Sequence, residues 1–136
     1  MRKNVNLSIL TPEKVFFKGE VSQITAETSE GEMGIMAGHM PIIAVISDSF
    51  LKVDENGAWR GAALGQGIMN VSSAGIEFFV DTAEWAEDID VQRSEKALRR
   101  AEERLRRSLS HTEYLRTQTA IARATARLKT AQNKKQ

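Results

Sequence analysis

The stretch Asp81-Thr82-Ala83-Glu84-Trp85-Ala86-Glu87-Asp88-Ile89-Asp90 joins two parts of the chain that differ in composition. All 9 Gly, both Pro and all 5 Phe lie before residue 88. The residues that follow are rich in Ala, Arg, Glu and Leu and contain no Gly or Pro. Gly and Pro separate short strands, whereas an uninterrupted run of good helix formers favours helices. We therefore predict a boundary near Glu87 that divides the chain into domains of residues 1–87 and 88–136.

Residues 1–87 carry the pattern expected of strands. Val5, Leu7 and Ile9 alternate with polar residues, and residues 42–46 form a continuous apolar run of strand length. Asn56-Gly57 lies between two further runs and is the strongest short signal for a hairpin, because both residues must reach positive φ. About ten short strands separated by turns predict an all-β domain, either a β-sandwich or a flattened barrel.

Residues 88–136 predict two helices that form an antiparallel hairpin. Asp88 or Asp90 is placed to cap the first helix and Thr112 the second, because a side-chain oxygen at that position accepts a free backbone N–H. The apolar positions that join the helices are few and rich in alanine, and therefore bury little area. We expect a hairpin of marginal stability that can detach or change shape. The positions of this predicted apolar stripe are Val91, Ser94, Leu98, Ala101 and Leu105 in the first helix and Leu115, Ile121, Ala124, Leu128 and Ala131 in the second.

The net charge of +1 hides an uneven distribution along the chain. Residues 1–87 hold 6 Lys or Arg and 12 Asp or Glu, whereas residues 88–136 hold 13 and 6. A nearly neutral chain is not a wholly basic nucleic-acid binder, and Tyr114 is the only aromatic residue of the basic helices, which disfavours base stacking. The cationic hairpin favours an acidic protein surface or a phosphate ligand, although the same charges also suit a solvated helix face.

No residue pattern nominates a catalytic centre. The chain has no Cys, and His39 and His111 lie in different domains without the neighbours that a zinc site needs. Gly65-Gln66-Gly67 lacks the third glycine and the following helix of a dinucleotide loop. No apolar run is long enough to span a bilayer, and the start of the chain lacks the apolar segment of a secretory signal. We expect a non-catalytic protein; the alternative is a carboxylate-based enzyme, which would show turnover by the isolated chain.

The stretch Gly31–Pro41 has an unusual composition, with three Gly and one Pro. Such residues dictate a specific backbone path. One interpretation is a shaped connection between strands. The other is a surface loop for a protein partner, with exposed Met and Ile as the contacts.

Three groups of residues, spread along the chain, carry a family resemblance. They are Leu10-Thr11-Pro12-Glu13-Lys14-Val15-Phe16, then Gly31-Glu32-Met33-Gly34-Ile35 with Gly38-His39-Met40-Pro41, and finally Asp81-Thr82-Ala83-Glu84 with Ile89-Asp90. In their order and spacing they resemble the epsilon subunit of the bacterial F-type ATP synthase, with Met36-Ala37 standing where that family usually has Leu-Pro. The resemblance covers essentially the whole chain.

The resemblance implies a rotor subunit of the central stalk. Its sandwich would bind the gamma subunit and the ring of c subunits, peripheral to the membrane on its cytoplasmic face, and help to couple proton or sodium flow to ATP synthesis. Its hairpin would extend toward the acidic surface of the catalytic alpha/beta head and inhibit ATP hydrolysis. Attraction between opposite charges would guide that encounter, and salt would weaken this attraction.

Several bacterial members of the family bind ATP on the folded hairpin through an Ile/Leu-Asp-x-x-Arg-Ala motif. The match here is Ile89-Asp90-Val91-Gln92-Arg93-Ser94, with Ser94 in place of Ala. The resemblance implies no required cofactor, with ATP as a regulatory ligand. Arg123 and Arg127, four residues apart on one helix, can face the same phosphates. The ATP-binding candidates are Glu84, Ile89, Asp90, Arg93, Arg100, Arg123 and Arg127.

Two alternatives stand beside this interpretation. Asp90 and the arginines can be an ordinary helix cap and a solvated face. The chain can also be a free-standing ATP sensor that stays monomeric and does not copurify with a membrane ATPase.

Overall fold

The computed structural model describes residues 3–28 and 30–132. Within these residues the chain forms ten strands, a short 3-10 turn and two α-helices. The strands are β1 (Val5–Leu10), β2 (Val15–Val21), β3 (Gln23–Thr28), β4 (Gly31–Met36), β5 (Ile42–Ile46), β6 (Ser49–Glu55), β7 (Ala58–Leu64), β8 (Gly67–Ser72), β9 (Gly75–Val80) and β10 (Ala83–Trp85). The 3-10 turn covers Ala86–Asp88, and the helices are α1 (Val91–Leu105) and α2 (His111–Gln132). The outer ends of the two predicted domains, at residues 1 and 136, lie outside the described residues.

The strands of the described residues form two five-stranded sheets. Sheet 1 has the order β2-β1-β9-β8-β5, and sheet 2 has the order β10-β7-β6-β3-β4. The pair β1 and β9 is parallel, with Leu7 opposite Ile76. The sandwich, one of the two predicted all-β alternatives, is confirmed, and so is the helical pair that follows it.

Alternating side chains from both sheets fill a single core between them. Leu7 and Ile9 of β1 are fully buried, as their alternation predicts. The apolar run of β5 differs, because Ile43 and Val45 point away from the core and are 75% and 71% exposed. A strand of a sandwich buries only one face, so a continuous apolar run leaves half of its side chains outside. The core residues are Leu7, Ile9, Val21, Ile24, Ala26, Ile35, Ile46, Leu51, Val53, Ala62, Leu64, Met69, Val71, Ile76, Phe78 and Val80.

The turn predicted from Asn56-Gly57 joins β6 to β7. Asn56 and Gly57 have φ values of 56° and 92°, and Glu55 pairs with Ala58 on either side of them. The buried carboxylate of Asp54 accepts the Gly57 N–H at 2.6 Å. The hairpin prediction is therefore confirmed.

The glycine-rich stretch from residue 31 divides into an edge strand and a turn. Its first half is β4, at the edge of sheet 2, and Gly38 with a φ of 83° forms the turn that follows. Ile35 is fully buried in the core, so it is not available to a partner. Met36 and Met40 are exposed. The shaped connection between strands is thus confirmed, whereas a protein partner at Met36 and Met40 stays a prediction.

Side-chain caps start both helices. Asp90 Oδ1 accepts the Arg93 N–H at 3.0 Å and caps α1, whereas Asp88 belongs to the 3-10 turn. The predicted cap of α2 at Thr112 is wrong. Ser110 Oγ accepts the Glu113 N–H at 3.2 Å, and its hydroxyl donates to Glu113 Oε1, so α2 begins before Thr112. Ser followed three residues later by Glu is the usual pattern for such a start.

The apolar stripe predicted for the hairpin is correct in its middle and wrong toward the ends. Ser94, Ala101 and Ala124 are buried as predicted. Three other stripe residues are exposed, namely Val91, Leu105 and Leu115. Three residues outside the stripe are buried, namely Thr117, Ala126 and Thr130.

The reason is that α2 has two packing partners. It contacts α1 and also β6, β7 and the 3-10 turn. The Thr130 methyl lies 3.7 Å from the position that a Cβ at Gly61 of β7 would take. Thr130 Oγ1 donates to the carbonyl of Ala126 within the helix, so burial leaves its hydroxyl paired. Small side chains thus let α2 approach both neighbours closely.

Trp85 anchors the junction between the sandwich and the helices. Its ring stacks on Phe16 at 4.6 Å and meets the edge of Phe17 at 5.9 Å. The Arg60 guanidinium lies 3.4 Å from the centre of the Trp85 ring and pairs with Glu87 at 3.0 Å. These contacts fix where the chain leaves the sandwich.

Gly75 has a position that only glycine suits. Its φ is 132°, and a Cβ there would lie 2.6 Å from the carbonyl oxygen of Asn6. We expect Gly75→Ala to lower the free energy of unfolding by about 2 kcal/mol in urea titrations. Gly34→Ala is the control, because a Cβ there meets nothing within 4 Å. Its effect should stay within about 0.5 kcal/mol, and equal losses for the two variants would contradict this account.

Candidate functional site

The structure divides six of the seven ATP-binding candidates between two surface clefts. Glu84, Arg123 and Arg127 line a cleft of about 470 Å³ between α2 and the sandwich, here called the α2 cleft. Asp90, Arg93 and Arg100 line a groove of about 550 Å³ along α1, here called the α1 groove. Ile89 is buried at the junction between them, with 9% of its surface exposed. Both volumes fall within the range of small-molecule sites.

Arg123 is held between two carboxylates of the sandwich. Its Nε lies 3.2 Å from Asp48 Oδ1, in the connection between β5 and β6. Its terminal nitrogen donates to Asp81 Oδ2 at 2.5 Å, in the connection between β9 and β10. One guanidinium of α2 therefore joins two separate loops to the helix.

Two more ion pairs join α2 to the sandwich. Arg127 Nε lies 3.2 Å from Glu84 Oε1 of β10. Two residues further along α2, Lys129 Nζ lies 2.6 Å from Glu27 Oε2 of β3 and 4.7 Å from the centre of the Phe50 ring. All three cations of α2 in these pairs are partly exposed. Such pairs are individually weak, and water can replace either partner.

Asp48 differs from the other carboxylates of these ion pairs, because its side chain is only 3% exposed. Burial raises the pKa of its carboxyl above the ordinary value, although the neighbouring Arg123 guanidinium acts in the opposite direction. The negative charge of Asp81 adds to the increase, and a hydrogen bond from Gln66 reduces it. Neither Asp48 nor Asp81 lies near Arg123 along the chain. Asp81 belongs to one of the segments that carry the family resemblance, but nothing in the sequence indicates that it pairs with Arg123.

The α1 groove is more cationic than the α2 cleft. Besides the three candidates it is lined by Lys96, Arg99, Glu103 and Gln92. Arg93, Arg99 and Arg100 are exposed. Ser94, the residue that replaces the alanine of the motif, is buried in α1 with 6% of its surface exposed. It is therefore a packing residue at the base of this helix.

A row of apolar side chains crosses the outer face of sheet 1. Val45, Ile68 and Phe79 are neighbours on β5, β8 and β9, because Val45 pairs with Ile68 and Ile68 with Phe79. Ile43 lies on the same face of β5. All four are exposed, and we call them the apolar row. Contiguous exposed apolar surface of this kind marks protein interaction sites.

Two family models match consecutive parts of the chain. The ATP synthase delta/epsilon chain beta-sandwich domain matches residues 4–86, and the ATP synthase delta/epsilon chain long alpha-helix domain matches residues 87–132. The chain belongs to the ATP synthase delta/epsilon family. The predicted resemblance to the epsilon subunit is thereby confirmed.

The similarity extends over nearly the full length of the relatives. The ATP synthase epsilon chain of Ruminiclostridium cellulolyticum is 41% identical over 90% of this chain and 91% of its own length. A chain of the Euglena gracilis mitochondrial ATP synthase superposes with a TM-score of 0.84 at 23% identity, covering 96% of this chain and 82% of that one. A chain of the Tetrahymena thermophila mitochondrial ATP synthase central stalk and c-ring gives 0.70 at 15% identity, covering 96% and 98%. At these identities the two superpositions establish a shared fold.

Among the described residues, no helix is both long and apolar enough to cross a membrane.

The pH dependence of stability tests the environment of Asp48. Because its folded-state pKa is raised, Asp48 favours the folded chain most when it is protonated, below its unfolded pKa of about 3.9. That contribution is lost as the pH rises through the folded pKa. We therefore expect Asp48→Asn to become more stable relative to the unsubstituted chain as the pH rises from 3.5 to 7, measured by urea unfolding.

Glu20→Gln, which removes an exposed carboxylate from β2, controls for the change in net charge. A stability difference between Asp48→Asn and the unsubstituted chain that moves in the opposite direction with pH would show that pairing with Arg123 outweighs the burial of Asp48.

Proposed function

We propose that this chain is a non-catalytic central-stalk subunit of an F-type ATP synthase that helps to couple proton or sodium flow to ATP synthesis. It would act on the cytoplasmic face of the cell membrane, peripheral to the bilayer. The observation that carries the proposal is the 41% identity to an ATP synthase epsilon chain over 90% of this chain. Similarity to such a subunit over nearly the whole chain favours this proposal over a free-standing ATP sensor.

The sandwich is the part proposed to bind the gamma subunit and the c-ring. The apolar row supports this assignment, because Val45, Ile68 and Phe79 form an exposed apolar strip on sheet 1, whereas α2 packs against β6 and β7 of sheet 2. Met36 and Met40 add exposed apolar side chains at the end of the sandwich where the β4–β5 connection turns. Flexible Met side chains suit contacts with a second protein.

The hairpin is the part proposed to inhibit ATP hydrolysis by leaving the sandwich and binding the acidic alpha/beta head. Its attachment suits such a change, since the residues buried on α2 are small and its ion pairs with the sandwich are partly exposed. Separating these surfaces exposes little apolar area and returns the charges to water. The exposed arginines of α1 would then meet the acidic surface.

ATP is proposed to favour the folded hairpin. The α2 cleft and the α1 groove flank the junction at Ile89, and together they present the cations of both helices. Arg93 and Arg100 would take phosphates on one side, and Arg123 and Arg127 on the other, because guanidinium groups suit phosphate oxygens. A ligand that spans both helices stabilises the arrangement that presents both by RT ln(1 + [L]/Kd).

A reversible tether tests the inhibitory role of the hairpin. The native chain has no Cys, and Gly61 lies close enough to Thr130 for a disulfide between cysteines at these positions. ATP synthase reconstituted with the Gly61→Cys/Thr130→Cys chain should hydrolyse ATP freely when the tether is oxidised. Reduction should restore inhibition, because α2 can then leave the sandwich.

Each single-cysteine chain serves as the control, since it cannot form the tether. Equal inhibition by the oxidised and reduced forms would refute the proposed movement. Failure of the chain to copurify with the membrane ATPase would refute the assignment to the central stalk.

Thermal melting tests ATP binding by the isolated chain. At ten times Kd, ATP should stabilise the chain by about 1.4 kcal/mol, which corresponds to a rise of about 4 °C in Tm. Arg123→Ala should remove this rise. Arg106→Ala, which changes an exposed arginine at the C-terminal end of α1, should retain it. No rise at millimolar ATP would exclude the nucleotide site.

A further inference from the structure

The two arginines of α2 that are proposed to hold phosphates already contact carboxylates of the sandwich. Arg123 lies against Asp48 at 3.2 Å and Asp81 at 2.5 Å, and Arg127 lies 3.2 Å from Glu84. A guanidinium has five N–H donors in a fixed plane. The donors directed at these carboxylates cannot at the same time bind phosphate oxygens.

The charges around the α2 cleft are nearly balanced. The cations that line it are Lys14, Arg123 and Arg127, and the acids that line it are Asp48, Glu84 and Asp88. Asp81, which is paired with Arg123 from the adjoining loop, adds one more negative charge. A triphosphate that enters this cleft therefore meets carboxylates as well as guanidiniums, and the like charges repel.

Arg123 makes a hydrogen bond with Asp81, but the pairs Arg123–Asp48 and Arg127–Glu84 are imperfect hydrogen bonds. Among the described residues, Arg123 Nε and Glu84 Oε1 are the buried side-chain nitrogen and oxygen atoms without a hydrogen-bond partner. Each is within 3.2 Å of an opposite charge, yet neither has the alignment of a hydrogen bond. An unmade hydrogen bond at a buried polar atom costs free energy, and the burial of Asp48 adds a desolvation cost. The contacts of Arg123 with Asp48 and of Arg127 with Glu84 thus depend on charge, and a better-placed anion can replace them.

We propose that the carboxylates of Asp48, Asp81 and Glu84 act as an internal anion that competes with the phosphates of ATP for Arg123 and Arg127. The inference rests on the proposed binding of ATP to the hairpin and concerns the regulation of that site. The competition raises the ATP concentration at which the site fills. It also gives the folded hairpin a second set of anions, supplied by the chain itself, when nucleotide is scarce.

Removal of the competing charges tests the proposal. The full-length chain with Asp48→Asn/Asp81→Asn should bind ATP about fivefold more tightly than the unsubstituted chain, measured by isothermal titration. Asp81→Asn alone, at a partly exposed position, should give a smaller change in the same direction, and it keeps the test available if the double variant does not fold. Tripolyphosphate, which lacks the base and sugar, should show the same preference for the variants.

The control is Glu20→Gln/Glu32→Gln, which removes the same charge at exposed positions of β2 and β4. It should leave the Kd within a factor of two, since general electrostatic attraction is then the only change. In an Arg123→Lys background, which keeps a positive charge and can still bind phosphate, the effect of the two asparagine substitutions should shrink, because the shared guanidinium is gone.

The outcomes separate this inference from the proposed function. An unchanged or weaker Kd in the asparagine variants, with ATP bound by the unsubstituted chain, would overturn the competition and leave ATP binding in place. A chain that binds ATP only after the substitutions would support the competition in its strongest form. Absence of binding by every variant and by the unsubstituted chain would overturn both.

Discussion

The attraction between the guanidinium of Arg123 and the carboxylates of Asp48 and Asp81 determines how the two parts of this chain fit together. The two parts of the chain also carry opposite net charges. Residues 1–87 have 6 more acidic than basic residues, and residues 88–136 have 7 more basic than acidic residues. Opposite net charges bring the helices to the sandwich, and salt screens that attraction. The buried threonine and alanine side chains of α2 then allow close approach without adding a large apolar area.

The sandwich and the helices therefore differ in what stabilises them. The sandwich has a core of large aliphatic side chains and Phe78, drawn from both sheets. Separating the two sheets would expose far more apolar area than separating the helices from the sandwich. Local opening is favoured where the buried apolar area is small and the contacts are solvated. A movement of α2 can thus occur while the sandwich stays intact, which is what the proposed inhibition of hydrolysis requires.

The two proposed functions of the chain use different faces. The helix α2 lies against β6 and β7 of sheet 2, whereas the apolar row lies on β5, β8 and β9 of sheet 1. A partner held on the apolar row does not compete with α2 for surface. Attachment to the rotor and movement of the hairpin are therefore compatible in one small protein. The Trp85 stack, with Arg60 on its face, attaches the segment that leads into the helices to the sandwich.

The sequence by itself determined an all-β domain, the two helices and the Asn56-Gly57 hairpin, and it limited the first helix cap to Asp88 or Asp90, because alternation, helix propensity and turn chemistry act between residues close in the chain. It also identified the family. Only the tertiary structure decided that α2 packs on the sandwich, that Leu115 is exposed while Thr130 is buried, and that six of the seven ATP candidates lie in two clefts. The partners of Arg123 come from two loops far away in sequence. Periodicity shows that a helix has a face that can be buried, but the surface that covers that face depends on how the whole chain folds.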